Sequence, residues 1–250
     1  MYNALYYYLW VAPHAFLAVV VILMLRRRFY KEFPMFLCYA VYQVLGFGVL
    51  FVLGTSKAVS PGTFYDAVLL DSGISIALRF GVIHEIFENV FRNYAALSRL
   101  GELLFRWASI VLVLTGTVGA GLAYSEGLNH LGATLWVTNL AVSIVQCGLL
   151  LLLFLFSRYF GLSWRNYVFG IAFGLGVYAC VDLTNSTILS HFGLASVRIL
   201  NLLTMGTYHC CVLIWIAYLL TPEPAMRSLQ APAATELHNW NHELERLLQQ

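Results

Sequence analysis

Charge is scarce in this sequence. Only 10% of the 250 residues are Asp, Glu, Lys or Arg, against about 25% in a soluble domain. A soluble fold this poor in charge would expose broad apolar patches and aggregate. Disorder is excluded as well, because disordered chains are rich in charge and poor in aromatics, and here aromatics make up 15%. A net charge of +2 gives no basic face or arm of the kind that binds nucleic acid. Metal and redox motifs are missing. The five cysteines, Cys38, Cys147, Cys180, Cys210 and Cys211, lie inside apolar stretches, with no CxxC pair and no zinc-type Cys/His spacing. They read as small apolar packing residues.

What is abundant is apolar surface, at 60% of residues. A helix needs about 20 apolar residues to cross the ~30 Å hydrocarbon layer. Seven stretches qualify, at 5–25, 33–53, 64–90, 107–124, 133–156, 167–188 and 198–220. Their continuity favours helices over barrel strands, which would be shorter and alternate in polarity. The expected fold is an all-α seven-helix membrane bundle over residues 1–220. The remainder, 221–250, forms a tail in which a Pro/Ala linker precedes a short amphipathic helix over 236–250. That helix suits either the bilayer interface or a cytoplasmic protein partner.

Orientation follows from basic residues in short loops. Arg26, Arg27, Arg28, Lys31, Arg92, Arg99, Arg106, Arg158, Arg165 and Arg227 fall on one side, and only Lys57 and Arg198 on the other. The first side is expected in the cytoplasm, which puts the amino terminus outside. Residues 1–4 carry no basic side chain and the first apolar run is long, so it reads as an anchor and not a cleavable signal. A loop-poor chain of this kind suits a bacterial inner membrane.

The topology is similar to that of seven-span receptors, rhodopsin-like proteins and small sugar porters. None of their signatures is present. Span seven has no lysine for a retinal Schiff base, no Pro-Gln pair marks a carrier, and no Asp-Arg-Tyr run ends span three.

Ionisable side chains within spans are costly and mark functional candidates. Span three is rich in them, with Asp66, Asp71, Arg79, His84, Glu85 and Glu88. At 100° per residue, Asp71, Ser72 and Ser75 fall within about 80° of Arg79. Span five adds Asn139, span six Asp182 and Asn185, and span seven Arg198 and Asn201. Together Asp71, Ser75, Arg79, Asn139, Asp182, Asn185, Arg198 and Asn201 form the expected outward-facing pocket for a small ligand or proton. Asp182 is the expected partner of Arg79, and Arg198 that of Asp71 or Asp182. The alternative reading is a closed set of structural ion pairs.

His84, Glu85 and Glu88 point to the other face of the same helix, about 140–240° from Arg79. His84 and Glu88 are four residues apart and could supply two metal ligands, with His209 as a third. No HExxH motif supports this. His14 and His209 near mid-span could ligate a haem, although neither cofactor is expected. Gln43 and Gln146 read as interhelical hydrogen-bonding groups. The leading expectation is a non-enzymatic receptor, sensor or small-solute transporter. The alternatives are a membrane-embedded enzyme using His84, Glu85 and Glu88 on a lipid-type substrate, and a structural subunit.

Overall fold

Apolar runs without strand-like alternation satisfy their backbone groups internally as helices, the arrangement a bilayer demands. The structure, a computed structural model, describes residues 2–56, 59–91, 106, 110, 137–148, 151, 167–192 and 197–221. Its regular elements are α1 (Tyr2–Arg26), a 3₁₀ turn (Phe29–Lys31), α2 (Pro34–Thr55), α3 (Pro61–Phe91), α4 (Val137–Gly148), α5 (Tyr167–Phe192) and α6 (Val197–Leu220). Five segments are long and apolar enough to cross a membrane: Ala4–Arg26, Pro34–Thr55, Pro61–Asn89, Tyr167–Ile188 and Arg198–Leu220. They coincide with the first, second, third, sixth and seventh expected spans. The shorter α4 lies within the expected fifth. Of the expected fourth span, 107–124, Ile110 alone is among the described residues, and the tail beyond Thr221 lies outside them.

Local chemistry sets the helix ends. Pro34 and Pro61 each occupy a first helical position, where the missing N–H is no loss. The Ser60 hydroxyl accepts the Thr63 N–H at 3.1 Å and caps α3. Arg28 stops α1 by adopting a left-handed conformation, φ 60°. The outer faces carry exposed Val19, Ile22, Leu45, Val49 and Leu70, an apolar surface suited to lipid.

The helices pack in a ring: α1 contacts α2 and α6, α2 contacts α3, and α5 contacts both α3 and α6. One end of the ring is pinned by several contacts. Arg27 Nη2 donates to the Leu220 carbonyl at 3.3 Å, and the Phe29 and Tyr167 rings meet at 4.5 Å. Asn89 donates to the Glu32 carbonyl at 3.2 Å. The carboxyl ends of α1, α3 and α6 and the amino ends of α2 and α5 therefore share one end, which also carries Arg26, Arg27, Arg28 and Lys31.

The apolar core fills the half of the ring next to this basic end. Met24, Phe36, Val82, Ile86, Phe169, Trp215 and Leu219 are buried there. Trp215, 2% exposed, sets its indole edge-on to Phe36 at 5.1 Å and donates to the Ile171 carbonyl at 3.3 Å. Gly170 and Gly174 let α5 approach this close. A Cβ at Gly174 would meet the Trp215 indole, and one at Gly170 the Tyr218 ring.

Candidate functional site

Away from the basic end the packing opens into a cavity of about 500 Å³. Every helix of the ring contributes, and so does α4. His14 comes from α1, Tyr39 and Gln43 from α2, and Asn139 from α4. Tyr178 comes from α5, and Thr204, Met205 and Tyr208 from α6. The longest wall is α3, with Leu69, Asp71, Ser72, Ser75, Ile76 and Arg79. The helical period explains that wall, since these positions share one stripe. The volume lies within the roughly 300–1,000 Å³ usual for small-molecule sites.

Arg79 is buried, 6% exposed. Its Nη2 donates to the Asn139 carbonyl oxygen, and its Cζ lies 5.7 Å from the Tyr178 ring centroid, within cation–π range. Among the described residues no carboxylate lies within ion-pair distance of it. The expected partner Asp182 is reached through Asn139, whose Nδ2 donates to Asp182 Oδ2 at 2.8 Å. The Ser143 hydroxyl donates to the same oxygen at 3.0 Å. The direct Arg79–Asp182 pair is thus replaced by an amide relay. Asn139 can serve both ions because a carboxamide accepts at one end and donates at the other. A guanidinium has five N–H donors, so Arg79 keeps donors beyond the one given to Asn139.

Asp71 sits two turns before Arg79, half-buried, with the Tyr42 hydroxyl as its side-chain hydrogen-bond partner. Gln43 donates to Ser75 Oγ at 3.1 Å and ties α2 to the cavity wall of α3. Asn185 donates to Thr204 Oγ1 at 2.6 Å, just behind the α6 wall. The Tyr208 hydroxyl and Asn185 Oδ1 are buried without a hydrogen-bond partner among the described residues. His14 Nδ1 bonds the Trp10 carbonyl at 3.0 Å, and its ring stacks on Phe47 at 4.0 Å.

Of the residues expected at the pocket, Asp71, Ser75, Arg79 and Asn139 line the cavity. Asp182 and Asn185 stand behind it, bonded to lining residues. Arg198 and Asn201 do not line it; both are exposed near the start of α6. The aromatic wall of Tyr39, Tyr178 and Tyr208 is not among the expected site residues. Tyrosine is common here, 15 residues, so its presence in a span carries no signal of its own. Gln43 and Gln146 do form interhelical bonds, the latter to the Leu175 carbonyl.

The inner set of α3 is arranged differently. Glu85 accepts the Met35 N–H at 2.8 Å and the Phe36 N–H at 2.9 Å, capping the amino terminus of α2. His84 and Glu88 are exposed. His209 packs against Tyr8 at 5.6 Å and Phe16 at 5.5 Å, on the α1 side of α6. Among the described residues no three His, Cys, Asp or Glu side chains gather as a ligand set, so His84, Glu88 and His209 do not come together. His14 stacks on Phe47 and meets the Tyr208 ring at 5.7 Å, whereas His209, the next residue of α6, packs against Tyr8 and Phe16.

Comparison with known protein families, curated proteins and solved structures found no match to this chain.

Proposed function

We propose that this chain is a non-enzymatic seven-span membrane protein that binds a small ligand in an outward-facing cavity around Arg79. Its amino terminus lies outside and its tail in the cytoplasm, with a bacterial inner membrane as the expected location. The carrying observation is Arg79: a buried cation that lines a cavity of about 500 Å³ and has donors to spare. Asn139 and the Tyr178 ring compensate this cation in part, and a ligand acceptor would take up its remaining donors.

Chain direction supports seven spans. Asn139 and Ser143 of α4 bond Asp182, whereas Gln146 and Cys147 lie against Leu175 and Cys180. So α4 runs antiparallel to α5 and parallel to α3. A chain that leaves α3 at the basic end must cross once more to start α4, and 107–124 is the apolar stretch available. The basic cluster at that end supports the cytoplasmic assignment.

The apolar core between the cavity and the basic end supports a receptor or sensor over an open pathway. Ligand contacts on α3, α5 and α6 would be relayed to the tail over 236–250, where a cytoplasmic partner could read them. A transporter built on the same cavity must open that core in turn. The test is a thermal-shift screen of detergent-purified protein against small carboxylates, phosphates and amines, repeated on Arg79→Ala. Hits that vanish in a variant that still folds support the pocket. Hits unchanged by Arg79→Ala overturn it. Uptake of a hit into proteoliposomes would then assign a transporter.

A further inference from the structure

We infer that the ligand of this cavity is an extended zwitterion, a small molecule with a carboxylate at one end and an ammonium at the other. The inference rests on the ligand-pocket reading above. Two lining residues carry opposite charge, and both stand on the same wall. Arg79 lies deep, toward the apolar core, and Asp71 lies two turns nearer the opposite end, about 12 Å away along the axis. That spacing is too long for the two to satisfy each other, and neither has an ion-pair partner among the described residues.

Each charge is held in a way that leaves capacity for a ligand. Arg79 gives one N–H to Asn139 and retains others. Asp71 has one hydroxyl partner, Tyr42, while a carboxylate offers about four lone-pair sites. An anion alone would satisfy Arg79 and leave Asp71 with its spare acceptor sites. A cation alone would satisfy Asp71 and leave Arg79 with its surplus donors. A molecule charged at both ends meets both.

The stretch between the charges also has a defined character. Ser72 and Ser75 line it on α3, and Ser75 Oγ is already engaged by Gln43. The rings of Tyr39, Tyr178 and Tyr208 line the same cavity, with Tyr178 at the level of Arg79 and Tyr208 against it. Such a slot suits a chain of methylenes or a peptide unit, with aromatic faces on one side. The Tyr208 hydroxyl, buried and unpartnered, offers one additional polar contact along the way. The carboxylate enters first and docks at Arg79; the ammonium follows and docks at Asp71.

The experiment is calorimetric titration of the full chain in lipid nanodiscs with a homologous series of ω-amino acids, from glycine to 8-aminooctanoic acid. The matched n-alkyl carboxylates and n-alkylamines serve as single-charge probes. We expect an affinity maximum at intermediate length. There the ω-amino acid binds about tenfold tighter than either single-charge analogue, the contribution of roughly one partly desolvated charge pair. Asp71→Asn erases that preference and leaves carboxylate binding; Arg79→Gln removes binding of the carboxylates and amino acids. The length profile needs only the native chain, so it holds even where a variant does not fold.

The zwitterion is overturned if the carboxylates or the amines alone bind as tightly as the amino acids, or if affinity ignores length. In that case loss of binding on Arg79→Gln would leave the pocket reading intact. If no member of the three series binds the native protein, the zwitterion falls, and the pocket reading is then decided by the phosphates of the thermal-shift screen.

Discussion

A guanidinium and a carboxylate inside a bundle do not need to touch to stabilise each other. Asn139 stands between Arg79 and Asp182, accepting from one and donating to the other. The sequence points to the right residues here, because ionisable groups stand out in apolar stretches. It cannot reveal that an amide is interposed, since that depends on how far α3 stands from α5. Glu85 is the opposite case. Beside His84 and Glu88 it looks like acid/base or metal chemistry, yet its two oxygens cap the free N–H groups of Met35 and Phe36. The charge also suits the positive end of α2. Helical spacing on α3 cannot show this, because the partner is the backbone of another helix. Glu85→Ala should therefore destabilise the fold by about 2–3 kcal/mol, the cost of leaving charge-assisted donors unpaired. The exposed Glu88→Ala should stay within about 0.5 kcal/mol. Thermal unfolding of the two variants in detergent checks the pair. Equal, small shifts would mean that the cap contributes nothing.

Between helices, the contacts follow stripes. Asn139, Ser143 and Cys147 recur every four residues on α4 and meet Asp182 and Cys180 of α5, with the two sulfurs 3.4 Å apart. That periodicity sets one polar seam between two otherwise apolar helices. On the far side of α5, the seam with α6 is steric. Small-residue spacing at Gly170 and Gly174 is visible in the sequence, and the structure supplies the bulky partners, Tyr218 and Trp215. Glycines therefore differ in what a methyl group would do. Gly174→Ala drives a Cβ into an indole that is buried and hydrogen-bonded, so we expect a loss of about 1–3 kcal/mol. At Gly206 an added Cβ meets nothing within 4 Å. There the helix should gain about 0.5–1 kcal/mol from the lower backbone entropy of alanine. Opposite signs in the melting temperatures would support the packing; a loss at Gly206 or a gain at Gly174 would contradict it.

The described helices divide along the bundle axis. One half, next to the basic end, is packed with apolar side chains around Trp215 and Phe36. The other half holds the cavity. Composition and apolar run length reveal five of these helices and their approximate bounds, because bilayer thickness imposes a length that the sequence must meet. They do not reveal the division into halves. Both halves are built from aliphatic and aromatic residues, and only the ring closure of α1, α2, α3, α5 and α6 decides which of them meet. The tyrosines on the cavity wall are hidden for the same reason. We propose that this cavity faces outward and takes up a ligand at Arg79. Ser75 lines it and is close to cysteine in size. Ser75→Cys, in a chain whose five native cysteines are replaced, should react with a membrane-impermeant maleimide added to the outer face of intact cells. It should not react when the reagent is confined to the inner face, and the ω-amino acid that binds best should slow the reaction. Labelling from the inner face, or none from the outer face, would contradict the claim.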